Sequence, residues 1–478
     1  MIEKKLNYQT ITEIAESIRK GEVSSVQLVE HCFSRIETLD QKLNAFHLVC
    51  KESAMEQARA ADRALQDGND LGMLHGIPYA AKDLFDVKGL PTAAGLSLLD
   101  KSIAAADANS IHSLSKAGMV LIGKTNTVQF AFSGVGINHD HGTPHNPWSR
   151  EHVLPGGSSS GSGVAVAAGM VPMALGTDTG GSVRVPSSLC GTSGLKTTVG
   201  RISRAGVYPL SWTLDSVGML THTVEDAALI YQCLQGADVN DEITLGLAPQ
   251  DVLLKLKEGI SGMRLAFAES VFFEDVHPEV EKAVRGCGKV FEDLGAKVSS
   301  IEFPEAQEAL QVNPGIMIIA AEGYLLNKKW LEEHFDELDP VVGKRMILGK
   351  EVTAGEYLQT CHTIRSLRSK AGNALENIDL LLVPTTPVSA QPVAEVDTTL
   401  ENYLEQNARY LRHTCIGNVL NLCGLSIPCG FTKDGLPIGL MIYGKPFQEG
   451  VVLRAGYAFQ QATDWHQKEP NLSWITEM

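Results

Sequence analysis

Two clusters of glycine and hydroxyl residues, with a short apolar run between them, restrict this chain more than any other feature. The first reads Pro155-Gly156-Gly157-Ser158-Ser159-Ser160-Gly161-Ser162-Gly163. The second reads Gly176-Thr177-Asp178-Thr179-Gly180-Gly181-Ser182-Val183-Arg184. Glycine weakens helices and strands, so glycines this dense suggest backbone brought close to a ligand. A flexible linker shares the composition. A linker would not enclose Val164-Ala165-Val166-Ala167-Ala168, nor continue into Val171-Pro172-Met173-Ala174-Leu175, which read as a buried helix and strand.

The 478 residues are 44% hydrophobic and 20% charged, ample for a large core. A net charge of −16 disfavours nucleic acid or an anionic membrane as main partner, because neither meets a basic footprint. The nine cysteines are scattered, odd in number and without a CxxC pair, which reads as reduced thiols in a cytoplasmic protein. No apolar segment follows Met1-Ile2-Glu3-Lys4-Lys5, so no signal peptide is expected. No run approaches the ~20 apolar residues of a membrane span.

Helical periodicity starts at a capping box, Thr10-Ile11-Thr12-Glu13, and resumes after Ser24 with Leu28, Val29, Cys32, Phe33 and Ile36 on one face. Strands are expected at residues 45–49, 77–81, 119–122, 263–267, 297–303, 378–384 and 436–443. Helices are expected at 53–65, 107–116, 223–234, 277–294, 316–333, 354–375 and 451–461. Gly123-Lys124-Thr125-Asn126 is expected to open a long loop. This alternation argues an α/β fold on a mainly parallel sheet, in a single domain over residues 1–478.

Four readings of the central stretch stay open on residue types alone. Gly156 to Gly161 has phosphate-loop spacing, but Ser162 stands where that loop needs lysine. Gly157-Ser158-Ser159-Ser160-Gly161 fits a nucleophile elbow with Ser159 as nucleophile. That elbow needs a strand before it and a histidine among His222, His277, His334, His362, His413 and His466. A serine can also be activated by lysine. Lys82 would serve if burial keeps its amine neutral, although a lysine ending an apolar strand is ordinarily solvated. Thr179-Gly180-Gly181-Ser182 would then turn N–H groups toward an oxyanion. The fourth reading is structural, with glycines for packing and serines for turns. A separate loop with His139, His141, His145 and His152 suggests a metal site. Lacking cysteine or an HExxH helix, it is read as a polar loop.

Continued by Val185-Pro186-Ser187, Cys190-Gly191 and Gly194-Leu195-Lys196, the two clusters resemble the defining motif of the amidase signature family. Gly76-Ile77-Pro78 through Lys82-Asp83 resembles its lysine segment. Asn146-Pro147-Trp148, Leu214-Asp215-Ser216-Val217-Gly218 and Thr223-Val224-Glu225-Asp226 also fit, so the resemblance covers most of a core at about residues 70–235. It implies an α/β fold with a large central mixed β-sheet covered by helices on both faces. It also implies a Ser-cisSer-Lys triad, with Ser182 as nucleophile, Ser158 as bridging serine after a cis peptide, and Lys82 as base. Thr179, Gly180, Gly181 and Ser182 would donate to the oxyanion, Asp178 and Arg184 would brace their loop, and Ala131 would lie at the substrate mouth. Ser159 would donate to the bridging serine. Neither a metal nor an organic cofactor is implied. His139 and His141 would border the pocket, within reach of substrate.

The implied activity is hydrolysis of a linear amide C–N bond in a small-molecule carboxamide or anilide, through a serine acyl-enzyme. Direct binding of nucleic acid or membrane is not expected, and a homodimer is left open. One alternative is the A subunit, the glutaminase, of a tRNA-dependent amidotransferase; another is a non-catalytic binding member of the family. In that amidotransferase subfamily an acidic residue shortly before a late Asn-x-x-x-Leu segment binds the substrate ammonium. Here Tyr410-Leu411-Arg412-His413-Thr414 precede Asn418-Val419-Leu420-Asn421-Leu422 and contain no acid, which favours a free-standing bacterial-type amidase. The acyl pocket falls in the variable residues from about 240 to 420, where the sequence names no pocket residue.

Overall fold

In the computed structural model, which describes residues 6–313 and 316–476, eleven strands form one sheet. They are β1 (Phe46–Val49), β2 (Pro78–Lys82), β3 (Val120–Thr125), β4 (Met173–Asp178), β5 (Ser193–Lys196), β6 (Ser216–Thr221), β7 (Arg264–Ala268), β8 (Lys297–Ile301), β9 (Leu380–Pro384), β10 (Cys423–Phe431) and β11 (Pro437–Gly444). Their spatial order is β1-β3-β2-β4-β6-β5-β10-β11-β9-β7-β8. Residues 1–5, on which the signal-peptide expectation rests, lie outside the described residues.

Helices cover both faces, because successive strand side chains point to opposite sides and both sets are apolar. Leu380, Leu382, Leu440 and Ile442 join one core, with helices Val224–Leu234, Pro278–Asp293 and Glu449–Ala462. Leu381, Val383, Met441 and Tyr443 join another, with helices Met317–Glu333, Ala354–Ala374 and Leu400–Val419. The amino-terminal helices start at the expected signals. Thr10 with Glu13, and Ser24 with Gln27, each form a complete capping box.

The sheet is mixed and not mainly parallel. Six of its ten pairings are antiparallel. Strand–helix alternation overstated parallel pairing because β5 and β6, rich in glycine, serine and threonine, carry no strand signal. With β4 and β10 they make the antiparallel centre. Residues 123–125 continue β3 instead of opening a loop, since β2 pairs alongside as far as Thr125. The helix Leu400–Val419 had no counterpart among the helices expected from periodicity. By length and composition Glu305–Glu333 passes for a membrane span, at mean hydropathy 1.2, where none was expected. Its Ile318, Ile319 and Ala320 are buried in the core.

Candidate active site

Lys82 is the last residue of β2, all five residues of which are buried. β2 runs parallel between β3 and β4, so the carboxyl ends of β2 and β4 lie side by side. The Lys82 Nζ therefore reaches Thr177 Oγ1 on β4 at 2.8 Å, and Ser158 Oγ at 2.7 Å. Among the described residues no carboxylate forms an ion pair with it. Burial pulls its pKa down to about 7, against the opposing fields of Asp178 and Asp215. Desolvation favours the neutral amine, so a sizeable fraction is unprotonated near neutral pH. The solvated strand end is thus overturned: Lys82 has no exposed surface.

The two glycine clusters are rigid turns around a buried helix, Ser160–Ala167, and β4. The Gly157–Ser158 peptide is cis. The Ser159 N–H donates to Ser182 O at 3.1 Å, which ties the first turn to the second. Gly181 has φ +141, and a Cβ there would lie 2.1 Å from Thr414 Oγ1, so only glycine fits. Behind the second turn, Arg184 Nε and Nη2 donate to both Asp178 oxygens at 3.0 and 2.8 Å. Arg184 also reaches Tyr443 Oη and Asn418 Oδ1, each at 2.6 Å. Burial alone would raise the Asp178 pKa, but the Arg184 guanidinium holds it below the usual carboxylate range. The Val183 N–H donates to Asp178 as well, at 3.1 Å, so Asp178 bonds both the backbone and the side chain of this loop.

Ser182 opens onto a cavity of about 840 Å³, together with Thr179, Gly180 and Ala131. Among the described residues nothing accepts from the N–H groups of Thr179, Gly180, Gly181 or Ser182, and the Ser182 hydroxyl bonds nothing. Thr179 Oγ1 donates to Asp215 Oδ1 at 2.5 Å, and Thr414 Oγ1 donates to Gly180 O at 2.7 Å. These bonds hold the turn while its N–H groups stay available. A smaller cavity of about 200 Å³ shares Ala131, Thr179 and Leu210 with the first and reaches Thr177 and Asp215.

Ser159 does not donate to Ser158. Its hydroxyl donates to Thr177 O at 3.3 Å, because it sits over Gly176, where a Cβ would lie 2.9 Å from Ser159 Oγ. His139 and His141 do not line the cavity either. His139 bonds Asp339 through Nδ1 at 2.7 Å and Asp397 through Nε2 at 2.9 Å. His141 stacks on His47 at 4.1 Å, with Asp100 beside both rings. His145 stacks on His152 at 4.6 Å. Among the described residues no histidine lines either cavity, which leaves the elbow reading of Ser159 without a base.

Sequence reasoning missed Thr177 as the second partner of Lys82, and it missed the pocket wall. Helix Leu400–Val419 supplies much of that wall, including Asn407, Leu411 and Val419. Its signal was present: Thr399 caps Asn402, and Tyr403, Asn407, Tyr410 and Thr414 follow at helical spacing on the buried face.

A family model described as Amidase matches residues 27–453. The chain belongs to the amidase family. An amidase of Pseudomonas putida is 38% identical, over 97% of this chain and 98% of its own. The A subunit of a glutamyl-tRNA(Gln) amidotransferase from Roseiflexus sp. (strain RS-1) is 37% identical, over 98% and 99%. The solved structure of a 6-aminohexanoate cyclic dimer hydrolase complexed with substrate matches with a TM-score of 0.88 at 27% identity, covering 98% of this chain and 99% of that one. The amidase signature resemblance read from the motifs is therefore correct, and this amidase family member is a hydrolase of amide C–N bonds.

Proposed function

We propose that the chain is a free-standing amidase that cleaves a small-molecule carboxamide through a Ser182 acyl-enzyme. Neutral Lys82 accepts the Ser158 proton as Ser158 takes that of Ser182. Ser182 Oγ attacks the amide carbon, and the carbonyl electron pair moves to oxygen, where N–H groups from Thr179 to Ser182 receive it. Collapse breaks the C–N bond, and the proton returns through Ser158 to the departing nitrogen. Water then attacks the ester by the same relay, releasing the acid and restoring Ser182. The observation that carries this reading is the buried Lys82 amine, 2.7 Å from Ser158 Oγ and poised near neutral pH.

The 37% identity of the Roseiflexus protein favours a second reading, a glutaminase working with partner chains. Against it, Thr414 bonds the oxyanion turn at Gly180, and residues 410–414 carry no acid for a glutamine ammonium. A panel of aliphatic and aryl amides that includes glutamine, assayed without partner protein or tRNA, separates the two. Ammonia or amine release from the simple amides supports the free amidase. Turnover of glutamine alone overturns it.

A further inference from the structure

His47, Asp100 and His141 come from three separate segments and meet away from both cavities. His47 belongs to β1, an edge strand, and is the extra residue of a bulge. Phe46 pairs with Thr125 and Leu48 with Lys124, which leaves His47 between them without a partner. A bulge re-aims the side chain of its unpaired residue. Asp100 follows the turn Ser97–Leu99. Its Oδ1 lies 3.2 Å from His47 Nε2 and 3.5 Å from His141 Nε2. The two imidazoles are stacked at 4.1 Å and 10°, and the three candidate ligand atoms lie within 4.8 Å of one another. The His141 side chain is 8% exposed, and its Nε2 is buried without a hydrogen-bond partner. The backbone that carries the cluster is fixed. Asn138 Oδ1 accepts from the N–H groups of Asp140 and His141, each at 2.8 Å, and Asn138 Nδ2 donates to Gly95 O and Thr127 O. Asp140 accepts from the Ser97 N–H and hydroxyl, which ties the Asp100 turn to the His141 loop.

We propose that His47 Nε2, His141 Nε2 and Asp100 Oδ1 bind one zinc ion, with a solvent molecule as fourth ligand. Tetrahedral zinc with bonds of ~2.0–2.1 Å sets its ligand atoms about 3.3 Å apart. The separations of Asp100 Oδ1 from the two imidazole nitrogens fall on either side of that spacing. Two imidazoles with one carboxylate suit zinc, whereas magnesium and calcium take oxygen ligands. One carboxylate oxygen serving two imidazole nitrogens leaves His141 Nε2 unmet, and a cation between the three satisfies all of them. Zinc needs neutral imidazole, and burial, with His47 alongside, holds the His141 pKa below its ordinary value. Asp83 lies 4.0 Å from His47 Nε2 but is taken by Lys124 Nζ at 2.6 Å, so it is a neighbour and not a ligand. Of the histidine loop only His141 takes part; the fold brings the other ligands from β1 and the Ser97–Leu99 turn. None of the three lines either cavity, so the ion clamps β1, the turn and the loop together and takes no part in the chemistry at Ser182.

The test is calorimetric titration of the full chain, without an affinity tag and stripped of metal by chelator, with zinc chloride near neutral pH. One zinc ion per chain should bind, and magnesium should not. Asp100→Asn should weaken the affinity at least about tenfold, and His141→Ala about 100-fold or more. His145→Ala, which alters the other stacked pair, should bind zinc as the wild type does. Should His141→Ala fail to fold, Asp100→Asn still decides, because that side chain is 42% exposed. The thermal midpoint of the wild type should rise with zinc and fall back with EDTA, and that of Asp100→Asn should respond less. No stoichiometric zinc binding, or unchanged affinity in both Asp100→Asn and His141→Ala, overturns the site. Loss of binding in His145→Ala with none in His141→Ala places the ion at the other pair and overturns it as well. None of these readouts uses amide turnover, so the result is independent of the amidase reading.

Discussion

Arg184 and Arg345 are both buried, yet one is satisfied at every side and the other is nearly bare. Arg184 stands behind the Ser182 turn with Asp178, Asn418 and Tyr443 around it. Arg345 stands in the cavity wall with one carbonyl and one aromatic face. Among the described residues, the wall around Ser182 is a network whose donors are mostly consumed internally, the N–H groups of residues 179–182 and the Ser182 hydroxyl being left over. The rest of the cavity lining is built of apolar side chains and charged groups of both signs. The turn that carries Ser182 is completed by the protein's own residues, whereas the cavity wall leaves Nε and Nη2 of Arg345 without acceptors among the described residues.

The largest effect is expected from Ser182→Ala, which should reduce amide hydrolysis by at least about 10³-fold with an unchanged thermal midpoint. Normal turnover would remove Ser182 from the mechanism. Lys82→Met should cost on the order of 10²–10⁴-fold in kcat. Because Lys82 must be neutral to accept a proton, wild-type kcat/KM should fall as pH drops through about 7, where Lys82 becomes protonated. A profile flat from about pH 8 to about pH 5.5 would move the base role elsewhere.

Stability separates the two arginines. Arg184→Met leaves the buried Asp178 carboxylate unpaired and should cost about 3–5 kcal/mol in denaturant unfolding. Arg345→Met strands no acid and should cost less than about 1 kcal/mol. Equal losses would mean that Arg345 is structural after all. The smallest effect belongs to Ser159→Ala. It removes one hydrogen bond to Thr177 O and should lower stability by about 1 kcal/mol, with turnover changed far less than by Lys82→Met. A loss of turnover on the scale of Lys82→Met would return Ser159 to the proton relay.

Much of the catalytic wall was legible because its signals are local. Glycines 180 and 181, Asp178 with Arg184 six residues on, and the capping boxes at Thr10 and Ser24 act over a few positions. The family motif added Lys82, which residue type alone would place in solvent. The rest of the cavity lining was not legible. Arg345, next to Lys344, looks like any surface arginine until its neighbours are known, and the helix Leu400–Val419 has few apolar residues in its first half to mark it. Ser159 was misassigned because two adjacent serines differ only in what faces them, and Gly176 on β4 decides that.

The sequence by itself determined the two turns, the helix and strand between them, and the family to which they belong. These depend on glycine conformational freedom, capping and side-chain period, all properties of neighbouring residues. Tertiary structure alone decided three other matters: that β2 lies beside β4, so that Lys82 meets Ser158; that the sheet is mixed; and that Arg345 is buried without a carboxylate partner. Each depends on what a distant segment places alongside, 76 residues away for Lys82 and Ser158 and 213 for Arg345 and Phe132. Desolvation and unmet hydrogen bonds arise only from that juxtaposition.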